Sequence, residues 1–301
     1  MTVDFGREIA GDLASAERRE WLCTNGVGGY ASGTVAGSLT RRYHGLLVAA
    51  LAPPVGRTLV VTKLEETVVY DGDVWALATN RWASGSIEPS GHQLIERFHL
   101  DGTTPVWTYA CADARIEKRV WMEPGANTTY VRYRLLRAGG AVRLMLRALV
   151  NHRDHHGVTR GGDWRMQTAR VADGIRVEAF DKAAPILVQA AGGQPIPCEP
   201  AHTWYERFAL ERERERGLDW IDDHLHAATF TATLRPGETL TVVGSTERDP
   251  SLNSDAAWSR RQAWEADRLA AWRAARAWAP AAPAWIAQLV LAADQFVVRR
   301  A

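Results

Sequence analysis

From about Thr58 to Gly244 apolar and polar residues alternate with a period of two. Ile116, Val120 and Met122 fall on one side of such a segment, with Glu117, Arg119 and Trp121 on the other. Val142, Leu144, Leu146 and Ala148 alternate in the same way with Arg143, Met145 and Arg147. Successive side chains of a strand point to opposite faces, so this period predicts antiparallel sheet with one covered face. Turn pairs punctuate the run at Asp71-Gly72, Asp101-Gly102, Pro124-Gly125, Gly139-Gly140, Asp173-Gly174, Gly192-Gly193 and Pro236-Gly237. Phe230 to Val243, centred on Arg235-Pro236-Gly237-Glu238, reads as a hairpin. Many strands without intervening helices predict a mainly β chain, a large antiparallel β-sandwich over residues 1–250.

The period then changes. Asp255 to Ala279 is rich in Ala, Arg, Gln and Glu and predicts an amphipathic helix of about 25 residues. Trp258, Leu269 and Trp272 fall on one narrow arc of it, Trp264 and Trp278 lie beside that arc, and Ala279-Pro280 stops it. Pro283 starts a second helix, in which Trp285, Leu289, Ala292 and Phe296 recur at i, i+4, i+7 and i+11. Ile286, Val290, Ala293 and Val297 run alongside, a face wide enough to expect neighbours on both sides. With the sequence ending at Ala301, the expectation is the front part of a longer protein, cut just inside a helical domain. Residues 251–280 are then a linker and 281–301 the start of that domain. The alternative is a last helix folded back on the sandwich.

Composition narrows the function classes. Thirty-six basic and 35 acidic residues leave a net charge of +1, so nothing points to a nucleic acid or another polyanion as partner. Apolar residues at 46% and charged ones at 24% exclude a wholly disordered chain. The three cysteines Cys23, Cys111 and Cys198 are odd in number and far apart, which predicts free thiols in a reducing compartment. No basic start followed by an apolar run opens the chain. The longest apolar stretch, Leu46 to Val55, contains Pro53-Pro54 and falls short of the ~20 residues that cross a bilayer. A cytoplasmic protein with no membrane partner is expected.

Candidate chemistry concentrates in two places. Trp21 to Leu64 holds no acidic residue, yet contains Arg41, Arg42, His44, Arg57 and Lys63. Its Gly26-Val27-Gly28-Gly29-Tyr30-Ala31 formally fits G-x-G-x-x-G/A. No buried strand precedes it and the next acid is Glu65, so dinucleotide binding is rejected. Arg41-Arg42-Tyr43-His44 suits a neutral, hydroxyl-rich ligand, through guanidinium donors, a stacking ring and an imidazole. On a strand, Arg41 and Tyr43 would share one face and Arg42 and His44 the other. Equally, the glycines could mark bends and the arginines cap carbonyls or pair with distant carboxylates.

The second place is Asn151-His152-Arg153-Asp154-His155-His156. Its histidines invite a metal, but no further ligand pair or H-E-x-x-H helix accompanies them. A polar loop facing a cleft is expected, with neither metal nor cofactor. Glu206 to Asp219 alternates in sign and reads as a solvated strand or short helix. Glu65-Glu66 and Asp222-Asp223 are neighbours on opposite strand faces and make no acid/base pair.

These residues together resemble a known family. Glu20-Trp21-Leu22, Thr24-Asn25-Gly26, Gly28 to Thr34 and Thr40 to Leu47 resemble the N-terminal domain of bacterial and archaeal glycogen debranching enzymes. Further matches are Lys63 to Glu66, Val120-Trp121-Met122, Asn127 to Tyr130, Leu149-Val150-Asn151 with Arg153-Asp154 and His155, and Glu213 to Asp219. The resemblance implies a supersandwich joined by a helical linker to an (α/α)6 barrel, whose carboxylates perform amylo-α-1,6-glucosidase hydrolysis. It places the catalytic residues outside this sequence. It leaves Asn25, Tyr30, Arg41, Arg42, Tyr43, His44, Asn151, Arg153, Asp154 and His155 as candidates for a substrate rim on glycogen or limit dextrin. An autonomous α-glucan-binding module is the second hypothesis, and a self-contained hydrolase the third.

Overall fold

The computed structural model describes residues 3–53, 56–276 and 281–299. Two large antiparallel sheets carry the fold. The nine-stranded sheet runs in the order Asp4–Gly6, Ile95–Asp101, Thr104–Cys111, Ala114–Met122, Thr128–Arg137, Thr239–Ser245, Ile186–Gly192, Gly174–Glu178 and Gln167–Val171. The eight-stranded sheet runs Cys198–Ala209, Ile221–Leu234, Val142–Asp154, Gly56–Tyr70, Gly45–Ala52, Tyr30–Thr34 and Glu20–Thr24, with Asp73–Ala76 paired beside Gly56–Tyr70. Their inner faces share one core. Ile116, Val120, Met122, Tyr133 and Leu135 from the first sheet join Leu64, Val68, Leu144, Leu146 and Phe230 from the second. The period-two segments are therefore strands, with their apolar sides inward.

The predicted hairpin Phe230–Val243 is not one. Ile221–Leu234 belongs to the eight-stranded sheet and Thr239–Ser245 to the nine-stranded sheet. The Pro236-Gly237 turn carries the chain between the sheets. Gly237 N–H donates to Leu135 O (2.7 Å) and Leu135 N–H to Glu238 O (3.1 Å). Alternation marks a strand but does not name its partner, and here the neighbour in sequence was the wrong one.

Trp121 lies on the outer face of its sheet and is nevertheless fully buried. It stacks on Tyr130 at 5.2 Å and meets Trp258 edge-on at 5.4 Å. Trp258 belongs to the helix Ser254–Ala275, which covers this face and is capped by Asn253, whose Oδ1 accepts from Ala256 N–H (3.0 Å). Trp258 of the predicted arc thus packs, but a charge docks the middle of the helix. Arg261, almost inaccessible, pairs with Glu265 (3.0 Å) and donates to Thr24 O (2.8 Å) and to Thr103 Oγ1. The helix ends at Ala275, with Arg276 already extended, four residues short of the predicted end at Ala279; Trp278, Ala279-Pro280 and the pair Pro54-Val55 lie outside the described residues.

The helix Ala284–Asp294 folds back by one flank. Leu291 is buried, Gln288 Nε2 donates to Gly102 O (2.9 Å), and Asp294 takes Arg268 at 3.4 Å and the Trp264 indole N–H at 3.3 Å. The predicted apolar stripe lies on the other flank: Trp285 is 44%, Leu289 56% and Phe296 79% exposed. Among the described residues no helix is long and apolar enough to cross a membrane. Cys23, Cys111 and Cys198 are free thiols.

Trp121 couples the helix to the sheet, so Trp121→Ala should cost about 4 kcal/mol of stability, the range for removing a fully buried aromatic. Urea unfolding of the two proteins measures it.

Candidate functional site

Three segments, two of them from the Trp21–Leu64 stretch, meet at one end of the eight-stranded sheet. The first is the bend between Thr24 and Tyr30. Asn25 Oδ1 accepts from Val27 N–H (3.0 Å) and Gly29 N–H (2.9 Å), while its Nδ2 donates to Ala126 O (2.9 Å) and Asn127 Oδ1 (3.1 Å). Every polar atom of this buried side chain is used to hold the bend. Gly26, at φ +76°, is required twice over, because a Cβ there would also press on Trp264 at 3.3 Å. Tyr30 is half-buried at the start of the next strand, and burial pushes its phenol above the usual range, so it remains a proton donor.

The second segment, Arg41 to His44, is a bend and turn rather than the strand on which the face argument rested. Arg41 Nε pairs with Glu20 (2.6 Å). His44 is buried, its Nδ1 accepting from Thr40 N–H (3.1 Å) and its Nε2 standing 3.6 Å from Glu20. Burial pushes the Glu20 carboxyl up, but hydrogen bonds and charge from His44 and Arg41 together outweigh it and hold it at about 2. Arg42 and Tyr43 do not diverge. Arg42 donates to His156 O, and Tyr43 Oη lies 3.1 Å from His156 Nδ1. Arg42 also sits on Glu213, by its main-chain N–H (3.2 Å) and its guanidinium (3.4 Å). Arg41 and Arg42 thus follow the second sequence reading, pairing with distant carboxylates and capping a carbonyl.

The third segment is the strand end Asn151 to Asp154 with the turn at His155-His156. Asn151 is buried and donates to Asp223 O (2.8 Å) while accepting from Thr159 Oγ1 (2.7 Å). Arg153 places Nε and Nη2 on Asp222 Oδ2 (3.1 and 2.8 Å), a second bond from Nη2 on Arg42 O (2.9 Å) and Nη1 on Asp154 O (3.1 Å). Asp154 is open to solvent and accepts from His156 N–H (2.8 Å). His155 donates through Nδ1 to Arg57 O (3.2 Å), and burial, helped by His156, holds its imidazole below the usual range. Arg57 Nε in turn donates to Gly28 O (2.7 Å), joining the third segment to the first.

The ten candidates therefore divide. Asn25, His44, Asn151, Arg153 and His155 are buried and support the site, whereas Tyr30, Arg41, Arg42 and Tyr43 are half-buried and Asp154 is open. His156 and Arg57, which the sequence singled out but did not carry into the rim candidates, both sit beside residues that were. Sequence reasoning also read the Glu206–Asp219 run as solvated. Its helix Glu211–Glu215 shows the expected alternating pairs, Arg212–Glu215 at 2.7 Å and Arg214–Glu211 at 3.5 Å, but Glu213 is completely buried beneath Arg42. Nothing in the local pattern marks that one glutamate. Beside the cluster lies a cleft of about 320 Å³, lined by Leu22, Tyr30, Tyr43, Arg57, Phe296 and Val298 among others.

The surface can donate and accept hydrogen bonds and offer ring faces. It does not supply a free carboxyl pair from Glu65, Glu66, Asp222 and Asp223, all of which are buried and occupied. Glu65 meets Lys63 (2.9 Å), Glu66 accepts from Tyr133 Oη (2.8 Å) and Lys118, and Asp223 accepts from Gly161 N–H (2.8 Å) and Arg207 N–H (2.7 Å).

Fold and site define a β-sandwich domain with a helical appendage and a braced polar surface at one sheet end. Residues 19–241 match the family described as glycogen debranching enzyme N terminal, and the chain belongs to that family. No curated protein matches it. Similar solved structures include a human-microbiome protein assigned as a kojibiose phosphorylase, at 9% identity and TM-score 0.35, covering 91% of this chain and 34% of that one. A bacterial glucoamylase complexed with acarbose gives 8% identity and TM-score 0.28, covering 87% and 37%. The GH92 glycosyl hydrolase ccman5 gives 18% identity and TM-score 0.32, covering 72% and 30%. The chain thus spans about a third of the length of each of these proteins.

His224, wholly buried beside Asp222 and Arg153, provides a pH test of the scaffold. Burial lowers its imidazole from 6.5 to about 4. Below 6.5 the unfolded chain takes up a proton that the folded chain refuses until about pH 4, so stability falls as pH falls through this window. A loss of roughly 3 kcal/mol between pH 7 and 4 is expected from this group, read from urea midpoints.

Proposed function

We propose that this chain is the non-catalytic N-terminal domain of a glycogen-debranching glycoside hydrolase. The parent activity is hydrolysis of α-1,6-glucosidic branch points in glycogen or limit dextrin. Residues 1–250 form the sandwich domain, 251–280 the helical linker and 281–301 the first part of an (α/α)6 catalytic barrel in cis. The observation that carries this reading, beside family membership, is the apolar flank of Ala284–Asp294 and the residues after it. Trp285, Leu289, Phe296 and Val297 stand open to solvent on a segment whose other flank is docked. An exposed patch of large apolar side chains marks an interaction surface, and the barrel is the occupant proposed. The Tyr43, Asp154 and His156 surface, beside that flank's Phe296 at the cleft, then forms part of the substrate rim.

A second reading, an autonomous α-glucan-binding module, draws on the cleft itself, where Tyr30, Tyr43 and Phe296 present rings of the kind that meet sugar faces. The protein is proposed to work in the cytoplasm, with α-glucan as its partner and without nucleic acid or membrane.

Asp154→Ala and Arg42→Ala, placed in a full-length debranching enzyme carrying this domain, should each lower glucose release from branched limit dextrin at least about tenfold, Asp154 through a lost substrate-orienting contact and Arg42 through release of the His156 turn that it holds. Unchanged turnover in both, at unchanged stability, removes the rim assignment. The 301-residue chain alone should release no glucose. Retention on immobilised limit dextrin by the chain alone would favour the second reading.

A further inference from the structure

The turn that follows the strand Val142–Asp154 brings a carboxylate and two imidazoles to one point. One ligand atom each from Asp154, His155 and His156 lies within 4.8 Å of the others. We propose that these three residues form a binding site for a borderline divalent transition cation of the zinc, cobalt or nickel class. Two nitrogens and one oxygen are the donor set that such ions accept. Three protein ligands leave at least one coordination position for water or a ligand hydroxyl.

The argument for a built site lies in what holds the three residues. His155 Nδ1 faces Arg57 O at 3.2 Å and stands 3.7 Å from Asp154 Oδ1; a carbonyl can only accept, so the proton is on Nδ1 and Nε2 keeps its lone pair. An oxygen partner fixing the far nitrogen of a ligand imidazole is the usual outer arrangement of metal-binding histidines. Tyr43 Oη stands 3.1 Å from His156 Nδ1 and can do the same for the second ring. The main chain is fixed as well. Arg153 grips Asp154 O (3.1 Å) and Arg42 grips His156 O. Both guanidiniums are anchored on almost inaccessible carboxylates, Arg153 on Asp222 and Arg42 on Glu213. The bracing that fixes the sheet end also holds the three ligand residues preorganised.

Charge decides whether a cation would be tolerated. Asp222 offsets Arg153, but Glu213 is shared between Arg42 and Arg216 (3.4 and 3.3 Å), so part of the Arg42 charge opposes an incoming cation, as does the guanidinium of Arg57. Its Nε is turned to Gly28 O (2.7 Å), and the Asp154 carboxylate, open to solvent, is free to balance part of the incoming charge. The sequence raised a metal here and set it aside for want of a further ligand pair or an H-E-x-x-H helix; the turn is what makes Asp154, His155 and His156 converge. The site shares Asp154 and His156 with the proposed rim, but zinc titration of the isolated chain reads the metal and glucose release reads the rim, so either reading can fail alone.

The test is calorimetric titration of the 301-residue chain with zinc chloride, with cobalt chloride monitored by visible absorption. One ion per chain is expected, with a cobalt spectrum of low-coordinate form. Asp154→Asn and His156→Ala should each lower zinc affinity at least about 100-fold, and Tyr43→Phe about tenfold. Thermal unfolding checks that each variant folds. Should His156→Ala not fold, Asp154→Asn decides the matter, since its carboxylate lies in solvent. Absence of saturable one-to-one binding, or Asp154→Asn binding zinc as the parent does, overturns the proposal.

Discussion

A guanidinium withdrawn from water sets the geometry of the whole sheet end. Arg153 and Asp222 are both nearly inaccessible and 2.8 Å apart. Removing two charges from water costs several kcal/mol each, and the cost is offset only when the remaining donors and acceptors are also satisfied. Here they are. Arg153 reaches Asp222, Asp154 O and Arg42 O, and Asp222 also receives Thr159 N–H at 2.7 Å. One ion pair thereby fixes a strand end, a distant bend and the start of a neighbouring strand relative to one another. Displacing any of them leaves a buried charge unsatisfied.

The same solution recurs where other parts join. Glu213 beneath Arg42 pins the short helix Glu211–Glu215 to the bend, and Arg261 with Glu265 pins the long helix to Thr24 and Thr103. The sandwich core is apolar and would tolerate sliding between elements of similar shape. The buried pairs remove that freedom, because hydrogen-bonded charges fit one register. The result is a rigid platform from which Tyr43, Asp154 and His156 project, beside an apolar flank left open on the C-terminal helix.

Legibility followed the range of the interactions. Ile116, Val120 and Met122 could be assigned to one strand face because side-chain direction depends on neighbours in the chain. The helix over Ser254–Ala275 was legible for the same reason, as was the apolar stripe from Trp285 to Phe296. The sheet switch at Pro236-Gly237 was not, since its turn bonds to Leu135, a hundred residues away in the chain. Arg42 and His44 were assigned to a face that a strand would have created, and the chain bends there instead. Glu213 looked like one more member of a solvated run because burial is a property of what lies above it.

Residue order alone determined that this chain is β-rich, that its strands have one apolar side, that helices follow the strands, and that its unusual polar residues concentrate in two stretches. These follow from local stereochemistry and from the affinity of apolar side chains for one another. Only the tertiary structure decided which strands share a sheet, which charged residues lie inside, and that the two polar stretches meet. Partner choice and burial depend on groups brought together by folding, and no window along the chain contains them.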